Sequence, residues 1–81
     1  MFYRIAIIMR FLDHNPPHFH VEYSGHKATI DIEKIQILKG SLPRRALNLV
    51  LDWTELHQKE LRENWNLCMQ NKTPMKIKPL E

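Results

Sequence analysis

Three histidines and an aspartate crowd into the run Asp13-His14-Asn15-Pro16-Pro17-His18-Phe19-His20, the densest concentration of reactive side chains in the 81 residues. Imidazole titrates near neutrality, ligates divalent metals and moves protons, so a cluster of them beside a carboxylate points to chemistry as well as packing. His18 and His20 are two apart. On a strand they face the same side, with Cα atoms ~6.5–7 Å apart. The double proline removes backbone donors and pushes Asn15 toward an extended conformation, stiffening the loop that carries Asp13 and His14. A site works best when its geometry is fixed before the ligand arrives.

Three chemistries fit these residues. His14, His18 and His20, with Asp13 or Glu60, can hold a divalent metal such as zinc. Two of the histidines can instead act as general base and general acid in metal-free cleavage of a phosphodiester. Or the run is a rigid polar surface that binds RNA or a protein and catalyses nothing. A His-x-His pair is a weak metal signal, and no cysteine pair or His-Glu-x-x-His motif accompanies it, which tilts the reading toward metal-free chemistry. The plainest alternative is a stiff loop whose histidines are only solvated or hydrogen-bonded.

The elements that must position the run follow from periodicity. Residues 2–11 read as a largely buried strand, 18–23 as a second, and Ser24-Gly25-His26 as a hairpin turn with His26 solvated. Residues 27–32 alternate cleanly, with Ala28, Ile30 and Ile32 on one face, and 35–38 make a short fourth strand. Gly40-Ser41-Leu42-Pro43 announces a helix over 43–70, with Ser41 or Leu42 as N-cap, ended by Asn71, Lys72 and Pro74. Residues 75–80 read as an extended tail that can add a further strand. The result is a single α+β domain over 1–81: a small antiparallel sheet of three or four strands packed against one long C-terminal helix.

On a helical wheel Ala46, Leu49, Val50, Trp53, Leu56, Leu61 and Cys68 form an apolar face. His57, Glu60 and Asn64 fall inside it, and polar groups there must find partners. They either pair with one another and with sheet edges, or face the histidine loop and complete its site. The second option meets a difficulty: if Phe19, Val21 and Tyr23 pack on the helix, His18 and His20 point away from it. Arg44 and Arg45 open the helix at the unfavourable end of its dipole, as a solvated pair or as an anion site for RNA phosphate or an acidic partner. Trp53 reads as core, Trp65 as core or as an exposed anchor, and Cys68 as a small buried hydrophobe.

Composition bounds the rest. A net charge of +3 with 26% charged and 43% hydrophobic residues describes a mildly basic globular chain, compatible with RNA or an acidic protein. The lone cysteine forms no internal disulfide, and no stretch is long and apolar enough to span a bilayer or to read as a signal peptide. These point to the cytoplasm. A core this small also leaves room for a homo-oligomer or a stabilising partner.

The Asp13–Val21 run, Gly40-Ser41-Leu42-Pro43, the set Trp53, Leu56, His57, Glu60, Leu61, Asn64 and Trp65, and Ile77-Lys78-Pro79-Leu80 together resemble a family of small bacterial proteins catalogued as a domain of unknown function. The resemblance covers nearly the whole chain. It implies a two-gene module of the type II toxin–antitoxin kind, with this chain as the toxin-like component and a small acidic antitoxin-like protein encoded nearby. Family members usually carry several residues before the segment matching Met1-Phe2-Tyr3, and a glycine where this chain has Arg4, so an upstream start is expected. The function anticipated is action on RNA or translation through His14, His18, His20 and Asp13, as a ribonuclease with or without a metal. The alternatives are a non-catalytic binding module and a His/Asp metal-binding protein.

Overall fold

The computed structural model describes residues 4–79. Four strands, β1 (Ala6–Ile8), β2 (His18–Tyr23), β3 (His26–Asp31) and β4 (Gln36–Gly40), precede two helices, α1 (Arg44–Leu56) and α2 (Gln58–Met69). The strands form one antiparallel sheet in the order β1-β2-β3-β4, so each connection joins sheet neighbours. The fold is α+β, as the pattern of the sequence requires.

Alternation assigns the two faces of the sheet. Phe19 and Val21 pair across strands with Ile30 and Ala28, and all four are buried in one core with Ala46, Val50, Trp53 and Leu61 from the helices. The Phe19 ring stands edge-on to Trp53, with centroids 6.0 Å apart. His20 and Glu22, with Thr29 and Lys27 opposite them on β3, therefore turn to the other face. His18, at the first position of β2 opposite Asp31, is buried where Trp65 of α2 reaches it.

Two turns fix the register of β3 and β4. Asp31 Oδ1 accepts the backbone amides of Glu33 at 2.8 Å and Lys34 at 2.9 Å, closing the turn after β3. Gly40 has φ +81°, and a Cβ there would lie 2.1 Å from the Lys27 carbonyl oxygen. Only glycine lets the end of β4 approach β3 so closely.

The observed elements depart from the sequence pattern in three places. The first strand is shorter than residues 2–11; of these, 2 and 3 lie outside the described residues. Beyond β1 the chain leaves the sheet: Leu12 takes a positive φ of 52°, and its N–H donates to the Cys68 carbonyl at 3.2 Å. That bond ties the histidine loop to the end of α2.

The long helix foreseen over 43–70 is present as two, divided at His57 (φ −116°, ψ 22°), and Pro43 rather than Ser41 or Leu42 sits at its N-cap. Run as one rod from Arg44 to Met69, it would measure about 39 Å, more than the 33 Å length of the whole domain. The break instead lets each half bury its own stripe. The Gln58 amide secures the junction by donating to the Ile32 carbonyl at 2.8 Å.

Residues 75–79 form no strand. Asn64 grips Met75 instead: its Nδ2–H donates to the Met75 carbonyl and its Oδ1 accepts the Met75 N–H, both at 2.8 Å. Trp53 Nε1–H donates to the Lys78 carbonyl at 2.9 Å. The helices hold the tail through side chains; the further strand that the extended tail over 75–80 could have added is absent among the described residues, and residue 80 lies outside them.

Candidate functional site

The loop between β1 and β2 folds back so that Asp13 meets both strand histidines. One carboxylate oxygen, Asp13 Oδ2, lies 3.0 Å from His18 Nε2 and 3.0 Å from His20 Nε2. The other oxygen, Oδ1, accepts the His14 backbone N–H at 2.8 Å. The His18 and His20 rings stand nearly perpendicular, with centroids 5.1 Å apart. Side-chain exposure is 9% for His18, 19% for His20 and 18% for Asp13, so the cluster sits at the surface with one side covered.

These contacts set the charge of Asp13. Its carboxyl is lowered to about 2, first by the hydrogen bond from His20, then by the His14 amide and by His18, with partial burial pulling the other way. Asp13 is an anion throughout the neutral range.

The ring nitrogens facing away from Asp13 have partners too. His18 Nδ1–H donates to the Pro16 carbonyl at 2.7 Å, and His20 Nδ1 lies 3.5 Å from Thr29 Oγ1. A carbonyl can only accept, so His18 Nδ1 carries a hydrogen. A neutral His18 ring would then aim the bare Nε2 lone pair at a carboxylate oxygen. That contact is attractive only with a positive centre between the two atoms, either a second ring proton or a metal ion. Among the described residues, Asp13, His18 and His20 form a group whose donor atoms could hold a metal, all lying within 4.8 Å of one another.

Two features of the surroundings involve residues that sequence reading treated as core or left unassigned. Trp65 of α2 is 4% exposed, and its ring lies 5.1 Å from His18 by centroids, covering one side of the cluster. On the other side His20 lines a cleft of about 280 Å³ together with Arg10, Lys27, Thr29 and Lys39. The register explains the gathering: Ile8, His20, Thr29 and Lys39 form one cross-strand row over all four strands, and Lys27 lies in the next row opposite Glu22. Cations far apart in the chain thus become neighbours of one imidazole.

The remaining candidates fall elsewhere. His14 is exposed and lies outside the cluster, meeting Asp13 through its backbone amide. His57 Nδ1–H donates to Glu60 Oε1 at 2.6 Å, and Asn64 holds Met75, so the hydrogen bonds of that helical trio go to each other and to the tail. Arg44 and Arg45 are exposed on the first turn of α1 and do not line the cleft. The only helix side chain that touches a histidine of the cluster through a ring contact, among the described residues, is Trp65.

A family model described as a domain of unknown function (DUF4160) matches residues 3–66, a span that includes Asp13, His18, His20 and Trp65. No curated protein and no solved structure matches the chain.

Proposed function

We propose a function from the site itself, since the chain belongs to the DUF4160 family and that description names no activity. The protein acts on RNA in the cytoplasm; the family resemblance, not the site, supplies the further reading that it is the toxin-like member of a bacterial two-gene module held in check by a small acidic partner. The observation carrying this reading is the position of His20, whose ring lines a cleft with Arg10, Lys27 and Lys39. Arg10, Lys27 and Lys39 outnumber Glu22 in the lining of the cleft and Asp13 beside His20, which suits a phosphodiester backbone that binds through its charge whatever its sequence. An acidic protein would be steered to the same surface, so one contact would both recognise and block it.

Expression of the full-length protein alone should arrest growth, and co-expression of the adjoining gene should relieve the arrest. RNA from arrested cells should show new cleavage products, absent with His20→Gln. Abundant expression that leaves growth unchanged contradicts the reading. A docking-only protein has one observation in its favour, since both Nε2 atoms are already engaged by Asp13. It predicts arrest with intact RNA.

A further inference from the structure

We propose that Asp13, His18 and His20 bind one divalent first-row transition metal ion through His18 Nε2, His20 Nε2 and a carboxylate oxygen of Asp13. This deepens the RNA-directed reading and rests on it for the reaction the ion serves; the binding itself stands on geometry.

Four observations converge. First, the two imidazoles present the same nitrogen, Nε2, to the same carboxylate oxygen, at 3.0 Å each. Neighbouring ligands on a six-coordinate ion with bonds of about 2.1 Å stand about 3.0 Å apart, and on four-coordinate zinc about 3.3 Å. The two nitrogen–oxygen separations already fall in that range. One ring nitrogen of each histidine and one Asp13 oxygen all lie within 4.8 Å of one another, so reaching ligand spacing takes a closure of no more than about 1.8 Å.

Second, the far nitrogens are held as metal-bound histidines require. Pro16 fixes the His18 tautomer by accepting from Nδ1, and Thr29 Oγ1 stands beside His20 Nδ1. Third, the cluster is held from outside: the Leu12 N–H bond to the Cys68 carbonyl ties the loop carrying Asp13 to α2, and the Trp65 ring covers His18, so the donor atoms are positioned before an ion arrives.

Fourth, two imidazoles and one carboxylate make a three-ligand set that leaves positions for water or a phosphate oxygen. That donor set suits zinc, manganese or ferrous iron better than calcium or magnesium, which take all-oxygen ligands. One of the three ligands, His20, also lines the cleft with Arg10, Lys27 and Lys39. Such an ion would polarise a bound phosphate without requiring a free imidazole nitrogen.

The test uses untagged full-length protein stripped with EDTA, titrated with ZnCl2 by calorimetry and with CoCl2 by visible absorption and tryptophan fluorescence. One equivalent should bind, and Co²⁺ should quench Trp65, whose ring lies 5.1 Å from His18. Asp13→Asn and His20→Gln should each lower the affinity by about 100-fold or more. His14→Ala and His57→Ala should leave it unchanged. Circular dichroism melts identify any variant that fails to fold, and of Asp13→Asn and His20→Gln the one that stays folded decides the point.

The proposal is overturned by absent binding, by affinity that survives in the folded ligand variants, or by equal loss in His14→Ala. Metal binding without growth arrest supports the ion and removes the RNA reading. Arrest without metal binding overturns the ion and leaves the RNA reading standing.

Discussion

Replacing Asn64 with alanine removes the clamp that holds the C-terminal segment against α2. Asn64 is 6% exposed and exchanges two hydrogen bonds with the Met75 backbone, both at 2.8 Å. Each such bond contributes about 0.5–1.5 kcal/mol net, so the pair contributes about 2 kcal/mol. The Met75 amide and carbonyl belong to a residue that is 68% exposed, and the segment can also lift away from α2. If it lifts off, those groups regain water, and the loss becomes the Trp53–Lys78 bond and the contacts of half-buried Ile77. Either route keeps the cost near 2 kcal/mol. For a domain of this size that corresponds to a fall in Tm of about 8–16 °C. Asn64→Asp keeps the acceptor for the Met75 amide but sets a carboxylate against the Met75 carbonyl, so it should fall by a similar amount. Thermal unfolding measures the loss, and faster amide exchange confined to residues 72–79 locates it. A fall under about 2 °C with unchanged exchange refutes the argument. Metal affinity should persist in folded Asn64→Ala, because Asn64 does not touch the cluster.

Gly40→Ala should destabilise the fold by about 2 kcal/mol or more, since a left-handed backbone and a 2.1 Å approach to the Lys27 carbonyl oppose any Cβ; a melting temperature equal to wild type contradicts this. Cys68 is fully buried and burial raises its thiol above the ordinary value, so a thiol reagent should modify it at neutral pH only after unfolding. Rapid labelling of native protein would show that the α2 end is open. Lys27→Glu with Lys39→Glu should weaken single-stranded RNA binding and flatten its log–log salt dependence by about 1.4. Arg44→Ala with Arg45→Ala, outside the cleft, should change that slope far less.

How much of this was legible in the sequence depends on distance along the chain. The strands around His18 to Asp31 follow from alternation, and the Asp13–His20 run shows itself because its members are close together. The single helix over 43–70 was a fair reading of a continuous apolar stripe, but the stripe carries no information about the length of sheet available to cover. That constraint is three-dimensional, and the helix is divided at His57. The same limit hides the cleft: Arg10, Lys27 and Lys39 look like scattered solvated cations until strand register brings them around His20. Asn64 signalled itself as a polar residue on an apolar face. The misfit was informative about a partner, and the partner is the tail. Trp65 reads first as core and second as an exposed anchor, and it is buried with its ring against His18.

The account depends most on the cluster at Asp13 acting on RNA. The direct measurement compares RNA from cells expressing wild type, His20→Gln and His14→Ala at matched protein levels, each with its melting temperature determined. Cleavage in wild type and His14→Ala, lost in a folded His20→Gln, is the predicted result. Cleavage that persists in His20→Gln, or RNA left intact by the wild-type protein, contradicts it.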